Sequence, residues 1–208
     1  MLRQLPLLLP LLVVAVPACG SEEPPPAPTS REPAGPPPIP ELASLDPPRP
    51  GRSTVARPEW NADQIRFEHP TRDLPAGFAT LQNVTQILLG DASENGLLIN
   101  YYGSALRPGE GRTLPATDET RSQHAGRDSN VFTLTVGQQA GALRSESGAV
   151  TIEEADESHV AGTFDVSLRS RNMLRETRVR GRFHATPSER LLAELEHQQA
   201  IRDQLRNR

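Results

Sequence analysis

Six arginines fall within fourteen residues, at positions 169, 171, 175, 178, 180 and 182. A guanidinium is a planar fork of donors that grips carboxylate or phosphate bidentately, so such a cluster is the first place to look for anion chemistry. In a strand, successive side chains point to opposite faces. Along 160–168, Phe164, Val166 and Leu168 then share one face, and Asp165 and Ser167, with Arg169 following, the other. On a returning strand over 177–184, Val179 and Phe183 point inward. Arg178, Arg180, Arg182 and His184 point outward, with Arg171 and Arg175 near the turn. Like charges across a strand pair repel, so something offsets them. The local acids Asp165 and Glu176, water, or an anionic ligand would each serve. Arg169, Arg171, Arg178, Arg180 and Arg182 form the candidate anion-binding set, with an ordinary solvated face as the alternative.

Other reactive groupings lack the spacing their chemistry needs. The acidic turn Glu153-Glu154-Ala155-Asp156-Glu157 offers hard oxygens for calcium, but not the D-x-D-x-D-G order of a calcium loop, and reads as a solvated turn. The five histidines, at 69, 124, 159, 184 and 197, form neither H-x-H nor H-E-x-x-H. Tyr102-Gly103-Ser104-Ala105-Leu106 lacks the second glycine of a nucleophile elbow. No catalytic residue, metal site or cofactor is expected, and the chain is not read as an enzyme.

Cys19 is the only cysteine. It follows Arg3, the apolar run Leu5 to Val16 and the small residue Ala18, the layout of a secretory signal. That run is shorter than the roughly 20 apolar residues a membrane-spanning helix needs. The arrangement resembles the lipobox of bacterial lipoproteins. The resemblance implies that residues 1–18 are removed and that the Cys19 thiol carries lipid, palmitate included, as the new N-terminus. Gly20 and Ser21 follow with no aspartate at the second position, which by the same resemblance implies delivery to the outer membrane of the cell envelope. A lipidated Cys19 leaves no thiol for disulfides, metal or nucleophilic catalysis.

From Ser21 to Pro58 the chain holds 13 prolines in 38 residues. That composition favours extended polyproline II over a packed core, giving a disordered stalk with a ceiling on the order of 120 Å. The whole chain carries a formal charge of −4. A weakly acidic balance argues against a general nucleic-acid binder.

The remainder has the size of one domain and a strand-like pattern. Ile65-Arg66-Phe67, Gly96 to Tyr102, Val131 to Val136, Ala149 to Glu153, Val160 to Leu168 and Thr177 to His184 read as strands. Ala79 to Leu89 fits strand or helix, and its β-branched Thr80, Val84, Thr85 and Ile87 favour strand. Ser104 to Asn130 reads as a long polar loop. Thr186-Pro187-Ser188-Glu189 reads as a helix start capped at Thr186, and Leu191, Leu192, Leu195, Ile201 and Leu205 as a partial apolar stripe. The expected fold is mainly β: an antiparallel sandwich or barrel with a C-terminal helix. The expected organisation is a signal over 1–18, lipidated cysteine and disordered linker over 19–58, an antiparallel β-domain over 59–186, and the helix over 187–208.

Three runs, Gly148-Ala149-Val150-Thr151-Ile152-Glu153, Val160-Ala161-Gly162-Thr163-Phe164 and Gly181-Arg182-Phe183, are similar to hairpins near the end of secreted bacterial β-domains. Many of those are lipoproteins of unknown function. The resemblance spans residues 147–184 and implies fold and compartment, with no catalytic residue to transfer. Three functions follow as expectations. The first is a non-catalytic binding domain for an anionic glycan, lipopolysaccharide or an envelope protein. The second is an assembly lipoprotein acting through its terminal helix, and the third an enzyme without a recognisable motif.

Overall fold

The computed structural model describes residues 39–206 apart from 58, 62–65, 69–70, 92–95, 125–126, 128–129, 138–142 and 170–175. Cys19, the signal over 1–18, the linker as far as 38 and Arg171 lie outside the described residues. So do the hairpin turn holding Arg175 and most of the turn before Gly96.

After a short 3-10 turn, Leu42–Ser44, the strands are β1 (Arg52–Ala56), β2 (Glu59–Asn61), β3 (Arg66–Glu68), β4 (Thr71–Leu81), β5 (Val84–Leu89), β6 (Leu97–Tyr102) and β7 (Gly109–Thr113). Helix α1 (Asp118–His124) precedes β8 (Val131–Val136), β9 (Leu143–Ala155), β10 (Val160–Arg169) and β11 (Glu176–Pro187). Helix α2 (Glu189–Arg206) follows. Nine strands close a barrel in the order β1, β11, β10, β9, β7, β8, β6, β5, β4, with β4 returning to β1. β2 and β3 form a separate antiparallel pair, Trp60 opposite Phe67.

The fold is mainly β with a C-terminal helix, as the alternation predicts, but the sheet is mixed rather than wholly antiparallel. Two short strands act as wedges. β1 lies between β11 and β4, and past its end those two meet directly in parallel, Thr186 opposite Gly77. β7 lies between β8 and β9, parallel to β8, and past it β8 and β9 pair directly. Short wedges let long, strongly twisted strands splay and still keep their backbone groups paired.

Three sequence expectations change and a fourth is refined. Residues 39–58 are not linker throughout, because β1 falls among them. Averaging prolines over 21–58 hid Arg52 to Ala56, which has no proline and buries Ser53 and Val55 completely. The helix is capped not by Thr186 but by Ser188, whose Oγ accepts the Leu191 N–H at 3.3 Å. Thr186 and Pro187 remain in β11, beside β4, so the β-domain extends past residue 186. Segment 79–89 is strand, as its β-branched residues favour, but in two pieces joined by a turn at Gln82-Asn83, where Gln82 takes φ 53°. Segment 104–130 contains β7 and α1, the latter capped by the Thr117 hydroxyl on the Thr120 N–H at 3.1 Å.

The barrel interior is a packed core. Phe132, Phe164 and Phe183 join Ile87, Leu89, Ile99, Leu134 and Val166 in one cluster, each essentially inaccessible to solvent. Gly162 and Gly181 make room for it. A Cβ at Gly181 would come within 2.5 Å of the Phe164 ring, and one at Gly162 would collide with the Thr151 carbonyl. Packing alone accounts for both glycines.

Candidate functional site

Strands β10 and β11 pair along their length, setting Thr163 opposite Arg182, Asp165 opposite Arg180, and Ser167 opposite Arg178. Val179 and Phe183 are buried, while Arg178, Arg180, Arg182 and His184 occupy the outer face, as alternation predicts.

The offset for the crowded guanidiniums is visible. Asp165 accepts from Arg178 Nη2 at 2.8 Å and, through the same oxygen, from Arg180 Nε at 2.9 Å. Its other oxygen accepts from Arg178 Nε. Asp165 is thus a shared counter-ion, opposite one arginine and diagonal to the next. The unoccupied sides of Arg180 and Arg182 meet backbone. Arg180 Nη1 donates to the carbonyls of Ile39 at 3.4 Å and Pro40 at 3.3 Å, and Arg182 Nη1 donates to Leu45 at 3.4 Å. Proline removes an N–H but leaves its carbonyl, so a proline-bearing segment presents acceptors to arginine donors. Leu45 is buried, and the 3-10 turn packs on β11. Residues 39–45 therefore strap the barrel wall.

The set predicted to bind anions divides accordingly. Arg178 and Arg180 share Asp165, and Arg182 holds the strap. Arg169 lies further along the wall, 4.0 Å from Glu146. Arg178 and Arg169 keep about half their side-chain surface in solvent, whereas Arg180 keeps 18%.

The acidic turn is closed upon itself. Asp156 Oδ1 accepts from the Ser158 hydroxyl at 2.7 Å and from the backbone N–H of His159 and Ser158, which holds its carboxyl down at about 2. His159 Nε2 meets Glu154 at 2.7 Å, a contact that raises the imidazole above its ordinary value. The His159 ring stacks on His184, centroids 4.9 Å apart, bringing the turn to the edge of the arginine wall. Glu154 and Asp156 thus serve the loop itself.

A second wall carries polar residues that sequence reasoning missed. On the outer face of β5, β6 and β8, Gln86 Nε2 donates to Asn100 Oδ1 at 2.8 Å, Asn100 Nδ2 to Thr133 at 3.5 Å, and Thr133 to the Tyr102 hydroxyl at 3.4 Å. All four residues are buried. On neighbouring β4 and β5, α2 lays Leu191 and Leu195 against Ala79, with Leu81, Leu88 and Leu192 around them. In sequence Gln86, Asn100 and Thr133 read as ordinary solvent-facing positions. The available signal was negative, since no charge interrupts either Val84–Leu89 or Leu97–Tyr102.

No family model, curated protein or solved structure matches this chain.

Proposed function

We propose that this chain is a bacterial envelope lipoprotein, anchored in the outer membrane by lipid on Cys19, whose barrel binds a phosphate-bearing glycan such as lipopolysaccharide and catalyses no reaction. The anchor rests on the signal-like run ending at Cys19. With residues 39–57 belonging to the folded unit, the stalk is left with residues 20–38, a reach on the order of 60 Å. The interior is filled by aromatic and aliphatic side chains, so a ligand must meet the outer surface.

The observation that carries the binding reading is an imbalance of charge on that surface. Arg178 and Arg180 share one carboxylate, Asp165, Arg182 beside them meets only the Leu45 carbonyl among the described residues, and Arg178 remains half exposed. An arginine fork grips phosphate bidentately, and an outer-membrane location would supply it.

The test is titration of the full chain with purified lipopolysaccharide, beside the Arg178→Gln variant. Binding that weakens roughly tenfold in the variant, the effect of losing one charge-assisted contact, supports the reading. Equal binding by both, or none by either, overturns it. The anchor is tested separately: Cys19→Ser must abolish palmitate labelling.

A second reading has its own observation. Ile201 and Leu205 lie one turn apart on the distal half of α2 and are 44% and 66% exposed. Assembly through this helix predicts a concentration-dependent oligomer that Leu205→Asp abolishes in sedimentation.

A further inference from the structure

Where the β4–β5 turn meets α1 and α2, a cavity of about 140 Å³ opens beside the helix-covered wall. Leu81, Val84 and Leu195 give it an apolar side. Arg121 from α1 and Arg202 from α2 give it two guanidiniums, with Gln199 beside them. No carboxylate lines it. A half-buried cation without a counter-ion is disfavoured, so two in one recess need an explanation.

Three of the six acids on these helices are engaged with glutamines. Glu119 accepts from Gln123 at 2.9 Å, Glu194 from Gln198 at 3.0 Å, and Asp203 from Gln199 at 3.2 Å. Held by Asp203, Gln199 turns its Oε1 toward Arg202, at 3.5 Å. That neutral oxygen is the polar partner Arg202 has among the described residues, and neither guanidinium pairs with a carboxylate there.

From these features we infer that the recess is a binding site for a small carboxylate bearing a short branched aliphatic group. The carboxylate sits between Arg121 and Arg202, and the aliphatic part lies against Val84 and Leu195. At about 30 Å³ per water, the recess holds roughly five waters, so the ligand is compact. The same chemistry belongs to a free branched-chain acid or to the free C-terminus of a peptide ending in valine.

The experiment uses the full chain with methyl-labelled leucine and valine. Isovalerate, isovaleramide, inorganic phosphate and the tripeptide Gly-Gly-Val are titrated separately. Saturable shifts of the Val84 and Leu195 methyls with isovalerate or the tripeptide, absent with isovaleramide, are expected. The tighter of the two binders identifies the source. Arg121→Gln and Arg202→Gln should each weaken binding roughly tenfold. Val84→Phe, which fills the recess, should abolish it, and an unchanged core methyl spectrum in each variant shows that folding survives. Arg178→Gln on the other wall should leave isovalerate binding untouched, which separates this site from the proposed glycan site. Shifts equal with acid and amide, shifts with phosphate alone, no shifts at all, or shifts indifferent to the arginines overturn the inference.

Discussion

The two walls of this barrel solve the same problem in opposite ways. On the β10–β11 wall polar side chains stay near water, and their charges meet one counter-ion and a strap of backbone carbonyls. On the β5–β6–β8 wall the outer face is itself buried, and uncharged polar groups bond to one another. A strand with one solvated face alternates cleanly, whereas a strand buried on both faces loses that alternation. This difference decides what the sequence reveals. Val160 to Leu168 and Thr177 to His184 are legible down to which arginine faces outward. Ala79 to Leu89 is legible as strand only through its β-branched residues: Thr85, Gln86 and Ile87 are consecutive and all buried, so no alternation shows which side chain faces which way.

The comparison predicts its largest effect where the strap leads into the barrel. A chain beginning at Glu59 lacks β1, the wedge that closes β11 onto β4 and carries the fully buried Val55. It should show no cooperative thermal transition, because two long strands are left with unpaired edges and the core opens. A cooperative melt from that shortened chain would demote β1 and the strap to decoration. The boundary itself was not legible. Proline density marks a stalk on average, and a five-residue strand within it buries too little to shift a compositional average.

Within the folded chain the contrast between walls should reappear as stability. Asn100→Leu leaves the buried Gln86 amide without its acceptor, and a stranded buried donor costs about 1–3 kcal/mol. Asp165→Asn on the opposite wall removes a counter-ion that is still reached by water. It should cost up to about 1 kcal/mol. Chemical denaturation of both variants checks the ordering, and a larger loss from Asp165→Asn would reverse the assignment of which wall depends on its polar groups. The aspartate variant also has a functional sign. Freed of their one carboxylate, the wall arginines should hold lipopolysaccharide more tightly than the wild type does, so stability and binding move in opposite directions. The sequence named Asp165 as an offset but could not show it serving two arginines. That depends on cross-strand register, which no local pattern encodes. Nor could it foresee residues 39–45 returning to residues 180–182, a contact across most of the chain.

The smallest effect is a pH dependence at the turn where the arginine wall ends. Hydrogen bonding to Glu154 raises the His159 imidazole above its ordinary 6.5, with Asp156 adding attraction. A raised value means that the folded state favours the protonated ring. The stability from this contact is therefore fully present below 6.5 and is lost as pH rises through the folded value. Asp156 runs the other way. Held at about 2 against an ordinary 3.8, its contribution is present above 3.8 and is lost as pH falls toward 2. Both contributions coexist between those limits, from about pH 4 to 6, so the turn should be most rigid there. Titrating the His159 ring protons by NMR tests the first half directly. The midpoint should lie above 6.5 and fall toward it in Glu154→Gln, which keeps the shape of the contact and removes its charge. A midpoint that ignores the substitution would mean that stacking on His184, rather than the carboxylate, positions His159. The turn would then belong to the packing of the arginine wall and not to its electrostatics.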